Sequence, residues 1–249
     1  MPWKKLTAIG VITYFILLIS QFPANVAYSW VSKSLQPVQL INPEGSIWSG
    51  TASRVHVSEG LDLHKLSWHL SPWSLLLGRI GMHVQIMDPV YPGNGEVNIG
   101  IGQGIHLQNA KGRLPASMLR GIRGLEYLGL EGTIEYDLHE VNIYKGTIQS
   151  ASGVVRLQQA KLNTPVDTEI GDIQFDIQTK EPNVEIVFRD IKSTFRIKGK
   201  IILMPERHFD YSATLTPTPA SDPDIVSMLR NIAVPGKGQT LQFAYKGLY

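Results

Sequence analysis

The feature of this sequence that most restricts its fold is an alternation of apolar and polar residues with a period of two, which dominates beyond residue 34. Successive side chains of a β-strand point to opposite faces of the sheet, so the alternation predicts strands. The predicted strands are short, and glycine and proline stand between them. They cover residues 80–87, 95–101, 104–110, 132–138, 154–160, 172–178, 184–188, 194–204, 209–215 and 240–245. Since only short helical patterns intervene, we predict a mainly β chain with an antiparallel sheet that is twisted or two-lobed.

One helical pattern precedes the first predicted strand, and a second lies between two predicted strands. Ser71 and Pro72 can cap and open a helical turn at 73–77, which Gly78 ends. Residues 116–128 carry apolar side chains at helical spacing, although two glycines lower the helical propensity of that segment. A few short helices are therefore expected beside the sheet.

The third helical pattern, near the C-terminus, has the clearest signals. Ser221 or Asp222 can cap it, and Pro223 lies in its first turn. Its apolar positions recur at helical spacing, and they are Ile225, Met228, Leu229 and Ile232. Because the helix stands between two predicted strands that each need a cover for one apolar face, we expect this stripe to pack on the sheet.

The N-terminal region contains one long uncharged segment, residues 6–22, which reads LTAIGVITYFILLISQF. As a helix rising 1.5 Å per residue it would extend roughly 25 Å, close to what a bilayer core requires. Lys4 and Lys5 precede the segment, and the positive-inside rule places that end in the cytoplasm. The predicted organisation is a cytoplasmic N-terminus at 1–5, one transmembrane anchor at 6–27 and a periplasmic β-rich domain at 28–249. A weak internal repeat leaves open a division of that domain into two lobes near residues 140–150.

A cleaved signal peptide would carry a similar apolar segment. Signal cleavage requires small residues at both −1 and −3. Cutting after Ala27 would place Asn25 at −3, and cutting after Ala24 would place Phe22 there. The sequence therefore favours an uncleaved anchor.

Composition excludes several classes of function. The chain has 23 basic and 21 acidic side chains, and two of the basic ones are Lys4 and Lys5, so the remainder is neutral. A nucleic-acid-binding protein would instead concentrate Lys and Arg against phosphates, so no nucleic-acid partner is expected. With no cysteine, the chain cannot form disulfides, cysteine-ligated zinc sites or iron–sulfur sites, and it cannot use a thiol nucleophile.

No catalytic or metal-binding motif is recognisable in the sequence. The histidines occur singly, without the paired spacing that metal sites use, and they are His56, His64, His69, His83, His106, His139 and His208. The glycine-rich run at 100–104 is followed by a strand-like segment where a phosphate-binding loop requires a helix. Serine-hydrolase and P-loop signatures are also missing, so we predict no enzymatic activity, no catalytic residue, no cofactor and no metal.

Two stretches of the sequence resemble a known family. The first is GSIWSG at 45–50 followed by WHLSPWSLLLG at 68–78, and the second is the C-terminal region 199–249 with the run YSATLTP at 211–217. Together they resemble type II secretion system protein N, in which a G-x-(L/I)-W-S-G-x-A segment follows an N-terminal span and precedes W-x-L-x-P-x-x-L-L-x-G. The residues that match these motifs, expected to be structural, are Gly45, Trp48, Ser49, Gly50, Trp68, Pro72, Leu76 and Gly78.

The resemblance implies a non-catalytic inner-membrane component of the machine with which Gram-negative bacteria export folded proteins from the periplasm across the outer membrane. Its partners would be the inner membrane and other type II secretion subunits. The alternative is a lipid-handling or lipid-shielding periplasmic protein anchored in the inner membrane, because an apolar row on a sheet looks the same whether it packs on itself or on lipid. An enzyme of unknown type is a third hypothesis. We expect Trp48, Trp68 and Trp73 in the core, with contact to a partner or to the outer leaflet as the alternative.

Overall fold

The computed structural model of the chain describes residues 20–33, 38–57, 61–100, 102, 104–121, 129–163, 167–236 and 238–248, together with residues 3, 7, 10, 13 and 14. Most of the uncharged segment at 6–22 lies outside the described residues. Within the described part of the chain, no helix has both the length and the apolar character needed to cross a membrane. The chain divides into two compact units, Met1–Pro92 and Gly93–Tyr249.

The first unit contains an antiparallel sheet whose strands pair in chain order. Its elements are α1 (Ala24–Val31), β1 (Val38–Gly45), β2 (Ser49–Val57), β3 (Leu61–Ser71), α2 (Pro72–Leu76) and β4 (Arg79–Ile86). Helix α1 lies against the edge strand β1, where the Leu40 amide donates a hydrogen bond to the Tyr28 hydroxyl at 2.9 Å. The helix thus satisfies a backbone donor that an edge strand would otherwise leave without a strand partner.

The period-two pattern does not identify β1, β2 and β3 as strands, and a break in their pleat explains why. In β2 the buried residues Ala52 and Val55 are three positions apart, so burial changes phase within the strand. At the same level, Asn42 of β1 and Lys65 of β3 have left-handed backbone conformations, with φ of 51° and 49°. A left-handed residue interrupts the pleat, so apolar residues on either side of it no longer alternate regularly in the sequence.

The second unit is built on one larger antiparallel sheet. Its elements are β5 (Gly93–Gly100), β6 (Gly104–Pro115), a 3₁₀-helix (Ala116–Gly121), β7 (Leu130–Tyr144), β8 (Thr147–Leu162), β9 (Thr168–Lys180), β10 (Asn183–Ser193), β11 (Phe195–Leu203), β12 (His208–Pro217), α3 (Pro223–Ile232), β13 (Val234–Pro235) and β14 (Leu241–Leu248). Strands pair in chain order as far as β12, which pairs with β14, and β14 in turn pairs with β13. The prediction of a mainly β, antiparallel chain with few helices is confirmed.

Several strands of the second unit are longer than the sequence predicts. Strands β7 and β8 have 15 and 16 residues. Gly132 and Gly153 lie inside them with φ of 125° and 148°, at places where the pairing is irregular. Glycine therefore introduces bulges here without ending the strands. The turn between β7 and β8 falls at 145–146, so the region 140–150 is one hairpin within the second unit.

The helix predictions have mixed outcomes. Helix α2 forms one residue earlier than predicted, and the segment predicted at 116–128 contains a 3₁₀-helix at Ala116–Gly121, while 122–128 lies outside the described residues. Helix α3 is confirmed, and its cap is Asp222, whose carboxylate accepts the Asp224 amide at 2.8 Å.

Helix α3 packs against the apolar face of the second sheet. Ile225 is buried in the core cluster, and Val226 and Leu229 pack against that cluster. Ile232, by contrast, is 70% exposed. The predicted stripe therefore covers the sheet over the first two turns of the helix, and its last member points to solvent.

Candidate functional site

The family-motif residues lie in the first unit, and the first group of them forms the turn between β1 and β2. Gly45 has φ of 87°, and a Cβ placed on it would lie 2.7 Å from the Ser49 carbonyl oxygen. The Ser46 amide donates to that same oxygen at 3.0 Å, and the Ser49 amide donates to the Ser46 hydroxyl at 3.2 Å. The turn is therefore too tight for any residue but glycine at position 45.

Gly50 and Trp68 belong to different motif segments, and the structure places them directly opposite each other in β2 and β3. A Cβ on Gly50 would lie 2.3 Å from Cζ2 of the Trp68 indole and 2.5 Å from the Glu44 carbonyl oxygen. The indole thus covers the glycine, and there is no space for a side chain beneath it. The separation of these two residues in the sequence reflects a cross-strand pair.

Helix α2 contains the remaining motif residues. Pro72 is at its first turn, and the Gly78 amide donates to the Leu75 carbonyl at 3.0 Å with Gly78 at φ of 69°, which ends the helix. Leu76 is the last residue of the helix. Ser74, which the sequence analysis did not single out, is buried; its hydroxyl donates to the Ser71 carbonyl at 2.6 Å and accepts the Gly81 amide at 2.8 Å. The two hydrogen bonds of this hydroxyl connect α2 to β4.

Backbone hydrogen bonds bring these pieces together at one end of the first sheet. The Leu70 amide donates to the Trp48 carbonyl at 2.7 Å, which joins the end of β3 to the β1–β2 turn. The Ile47 amide donates to the Phe22 carbonyl at 3.0 Å, and Pro23 forms an antiparallel bridge with Ser46. We call the assembly of residues 22–23, 45–50 and 68–78 the motif end.

The three motif tryptophans differ in burial. Trp48 and Trp68 are half-buried, whereas Trp73 is 76% exposed. The expectation of a core position is therefore wrong for Trp73. Ser74 faces β4, and because successive residues of a helix point about 100° apart, Trp73 lies on a different face. Trp73 is available for contact with something outside this chain.

Asp88, after β4, is the most perturbed titratable group of the first unit. One of its carboxylate oxygens accepts the Val90 and Tyr91 amides at 2.8 and 2.9 Å, and the other accepts the His64 amide at 2.9 Å and lies 2.9 Å from the His64 Nδ1. Burial by itself would raise the pKa of Asp88, but the Tyr91, His64 and Val90 amides and the His64 ring together hold that pKa well below its usual range. Its full set of donors indicates a structural role in joining the 88–91 loop to β3.

The second unit contains an apolar cavity of about 330 Å³ between α3 and strands β8 to β12. Apart from the Thr168 and Tyr211 hydroxyls, the side chains that line it are hydrocarbon or thioether. They are Leu162, Thr168, Ile170, Ile173, Phe175, Phe188, Phe195, Ile197, Ile201, Tyr211, Leu215, Ile225, Met228 and Leu229. Burial raises the pKa of Tyr211, so this phenol stays neutral. The cavity suits an apolar guest and offers nothing to hold a charged one.

A row of aromatic rings forms one wall of this cavity. Phe175 and Phe188 have ring centroids 5.6 Å apart, and Phe188 stacks on Tyr211 at 5.9 Å. Phe188 reaches Tyr211 across Gly199, which lies opposite it in β11. Sequence alone does not reveal this wall, because its rings meet only through the register of β9 to β12.

The histidines do not assemble a metal site. His56 lies 2.8 Å from Asp62, and His69 and His83 lie opposite each other in β3 and β4. Among the residues that the structure describes, no group of three or more His, Cys, Asp or Glu side chains could hold a metal ion.

Comparison with known proteins gives one match. The family model described as type II secretion system (T2SS), protein N, matches residues 36–241 of the chain. The match begins just before β1 and ends at the first residue of β14, so it includes most strands of both units. Neither a curated protein nor a solved structure matches the chain.

Proposed function

The chain belongs to the type II secretion system protein N family, and from that membership we propose that it is a non-catalytic inner-membrane component of the system. In this role it supports the export of folded proteins from the periplasm across the outer membrane. The observation that carries the proposal is the family match over residues 36–241. The uncharged segment at 6–22, preceded by Lys4 and Lys5, supports a single-pass anchor with the N-terminus in the cytoplasm and both compact units in the periplasm.

A component of this kind contacts other secretion subunits, and we expect one such contact at the outer edge of β14. Strand β12 pairs with one edge of β14 from Leu241 to Leu248. In the described part of the chain, the other edge pairs only with Val234 and Pro235, opposite Gln242 and Leu241. An open edge of this length can accept an extended segment of another chain as an added strand.

Crosslinking in intact membranes tests both the role and this surface. A photoreactive residue at Leu248, which is exposed at the end of β14, should crosslink to another secretion subunit. Ile191 is the matched control, because it is an exposed apolar residue on the interior strand β10. Equal crosslinking from both positions would contradict the edge as the contact. The wider role would be contradicted if no exposed position of either unit crosslinked to a secretion subunit and removal of the chain left export unchanged.

A second candidate function is the shielding of lipid, and the apolar cavity of the second unit favours it. A cavity of about 330 Å³ lies within the size range of small-molecule sites and is lined almost wholly by hydrocarbon. Native protein extracted from membranes should then carry phospholipid, which mass spectrometry would detect. Met228→Trp should fill the cavity and reduce the bound lipid, whereas Ile232→Trp, on the exposed side of α3, should leave it unchanged. Equal lipid in the two variants would reject the cavity as a lipid site.

A further inference from the structure

Helices α1 and α2 each leave an aromatic and an aliphatic side chain on their exposed side. In α1 the pair is Val26 and Trp30, and Trp30 is 72% exposed. At α2 the pair is Trp73, in the helix, and Leu77, which follows its last residue, and they are 76% and 69% exposed. A spacing of four residues places both members of each pair on the same helical face. The chain thus presents four large apolar side chains that its own fold leaves uncovered.

Other side chains of both helices are attached to the first sheet, which fixes the direction of these pairs. On α1, Ala24 is buried and the Tyr28 hydroxyl accepts the Leu40 amide. On α2, the Ser74 hydroxyl accepts the Gly81 amide. The exposed pairs are therefore oriented by neighbours that are attached to β1 and β4.

Both helices lie at the motif end, where the apolar segment at 6–22 finishes. Phe22, the last residue of that segment, accepts a hydrogen bond from Ile47, and Pro23 bridges to Ser46 immediately before α1 begins. The Phe22 and Trp30 rings are in contact, with centroids 5.3 Å apart. The point at which the proposed anchor ends and the uncovered apolar side chains therefore occupy the same end of the first unit.

We propose that Val26, Trp30, Trp73 and Leu77 form a membrane-contacting surface that lies in the headgroup region of the periplasmic leaflet. This inference rests on the proposed function. It takes 6–22 as the inner-membrane anchor in place of the expected 6–27, because Pro23 is bridged to Ser46 and Ala24–Val31 forms α1 against β1. Tryptophan concentrates at this depth of a bilayer, and short amphipathic helices lie there with their apolar face inward. Arg79 is exposed at the first position of β4, three residues after α2, and supplies a positive charge that would attract anionic headgroups.

A groove on another protein is the competing occupant of this surface, and position favours the bilayer. No residue intervenes between the end of the uncharged segment and Pro23, which is already paired with the first hairpin. The anchor therefore brings the surface to the lipid whether or not a partner is present. Contact with lipid also removes the large apolar side chains from water, which is favourable at roughly 25 cal/mol for each Å² buried.

The absence of cysteine allows a direct test with the full-length chain in lipid nanodiscs. Trp73→Cys and Leu77→Cys each receive an environment-sensitive fluorophore, and the nanodisc contains phospholipid with a spin-label quencher near the headgroup. Val90→Cys is the matched control, because Val90 is 61% exposed in the same unit. Strand β4 runs from Arg79, beside α2, to Ile86, so Val90 lies beyond the other end of a strand roughly 25 Å long.

We expect quenching at positions 73 and 77 to be at least about twice that at position 90, since an interfacial apolar face lies roughly 5–10 Å into the headgroup boundary. If the chain co-purifies with the nanodisc but quenching at positions 73 and 77 is no stronger than at position 90, the membrane-contacting surface is wrong and the anchor is not contradicted. Protection from a water-soluble quencher without lipid quenching would show a protein contact and overturn the surface too. Chain that does not stay with the nanodisc would overturn the anchor itself. Both substituted side chains are exposed, and two positions give independent readings.

Discussion

Two aromatic rings in this chain lie over the glycine that faces them in the neighbouring strand. Trp68 covers Gly50 in the first unit, and Phe188 covers Gly199 in the second, where a Cβ on the glycine would lie 2.2 Å from the ring. In both pairs the glycine provides space for the ring, so its small size matters more than its flexibility. The tryptophan and glycine of the family motif are therefore one structural unit.

The Gly50–Trp68 pair leads to a prediction on stability. Gly50→Ala should lower the free energy of unfolding by roughly 1–3 kcal/mol, because the added methyl would overlap the indole and the Glu44 carbonyl, and backbone cannot easily move away. Thermal unfolding followed by tryptophan fluorescence would measure this. Gly104→Ala is the control, since a Cβ there meets its nearest neighbour, the Tyr144 ring, at an ordinary 3.8 Å. Equal melting temperatures for the two variants would contradict the packing described for Trp68.

Asp88 gives a prediction on pH. Its pKa is lower in the folded chain than the ordinary value of about 3.9, so the unfolded chain binds more protons at acid pH, and the carboxylate stabilises the fold above that value. This contribution should be lost as the pH falls from about 5 toward 2. Asp88→Asn keeps one acceptor and turns a donor toward His64. It should lower the free energy of unfolding by about 1–3 kcal/mol at neutral pH. Urea unfolding should therefore show the gap between the two proteins closing in acid, and a gap independent of pH would count against the depressed pKa.

Helix α3 connects the sheet of the second unit to its cavity, and Leu229 is the test of that connection. Leu229→Ala should lower the free energy of unfolding by roughly 2–5 kcal/mol, because the side chain packs in the core and lines the cavity. Ile232→Ala, three residues further along the same helix and exposed, should change it little. Circular dichroism during thermal unfolding would compare them. If Leu229→Ala melted normally but lost crosslinks to other subunits, α3 would instead be a docking helix.

The elements that sequence analysis identifies are those whose signals are local. Helix α3 has its cap, its first-turn proline and its apolar stripe within about three turns, so it could be predicted almost to the residue. Strands β1 to β3 could not, because the left-handed residues Asn42 and Lys65 disturb the alternation on which the prediction depends. The same limit applies to the sites. The motif residues can be recognised in the sequence, but their proximity at one end of a sheet depends on the pairing of strands. The cavity is lined by residues from 162 to 229, so its existence also depends on that pairing.

At the scale of the whole chain, the question is on which side of the membrane the two units lie. A reporter that is active only in the cytoplasm should be silent when fused after Tyr249 and active when fused before Met1, because Lys4 and Lys5 hold the N-terminus inside. Enzyme activity of the two fusions in intact cells measures this directly. An active C-terminal fusion would reverse the orientation and remove both units from the periplasm.

The hydrogen bond between Phe22 and Ile47 also determines how far the first unit can travel. A domain joined to a membrane anchor by a flexible linker of n residues has a root-mean-square distance from the anchor of roughly 5–6 Å × √n. In the proposed topology n is close to zero, since Pro23 is already bridged to Ser46. The first unit is then held at a fixed distance from the bilayer surface and cannot diffuse away from it to reach a partner. Any subunit that meets it must come down to the membrane surface to do so.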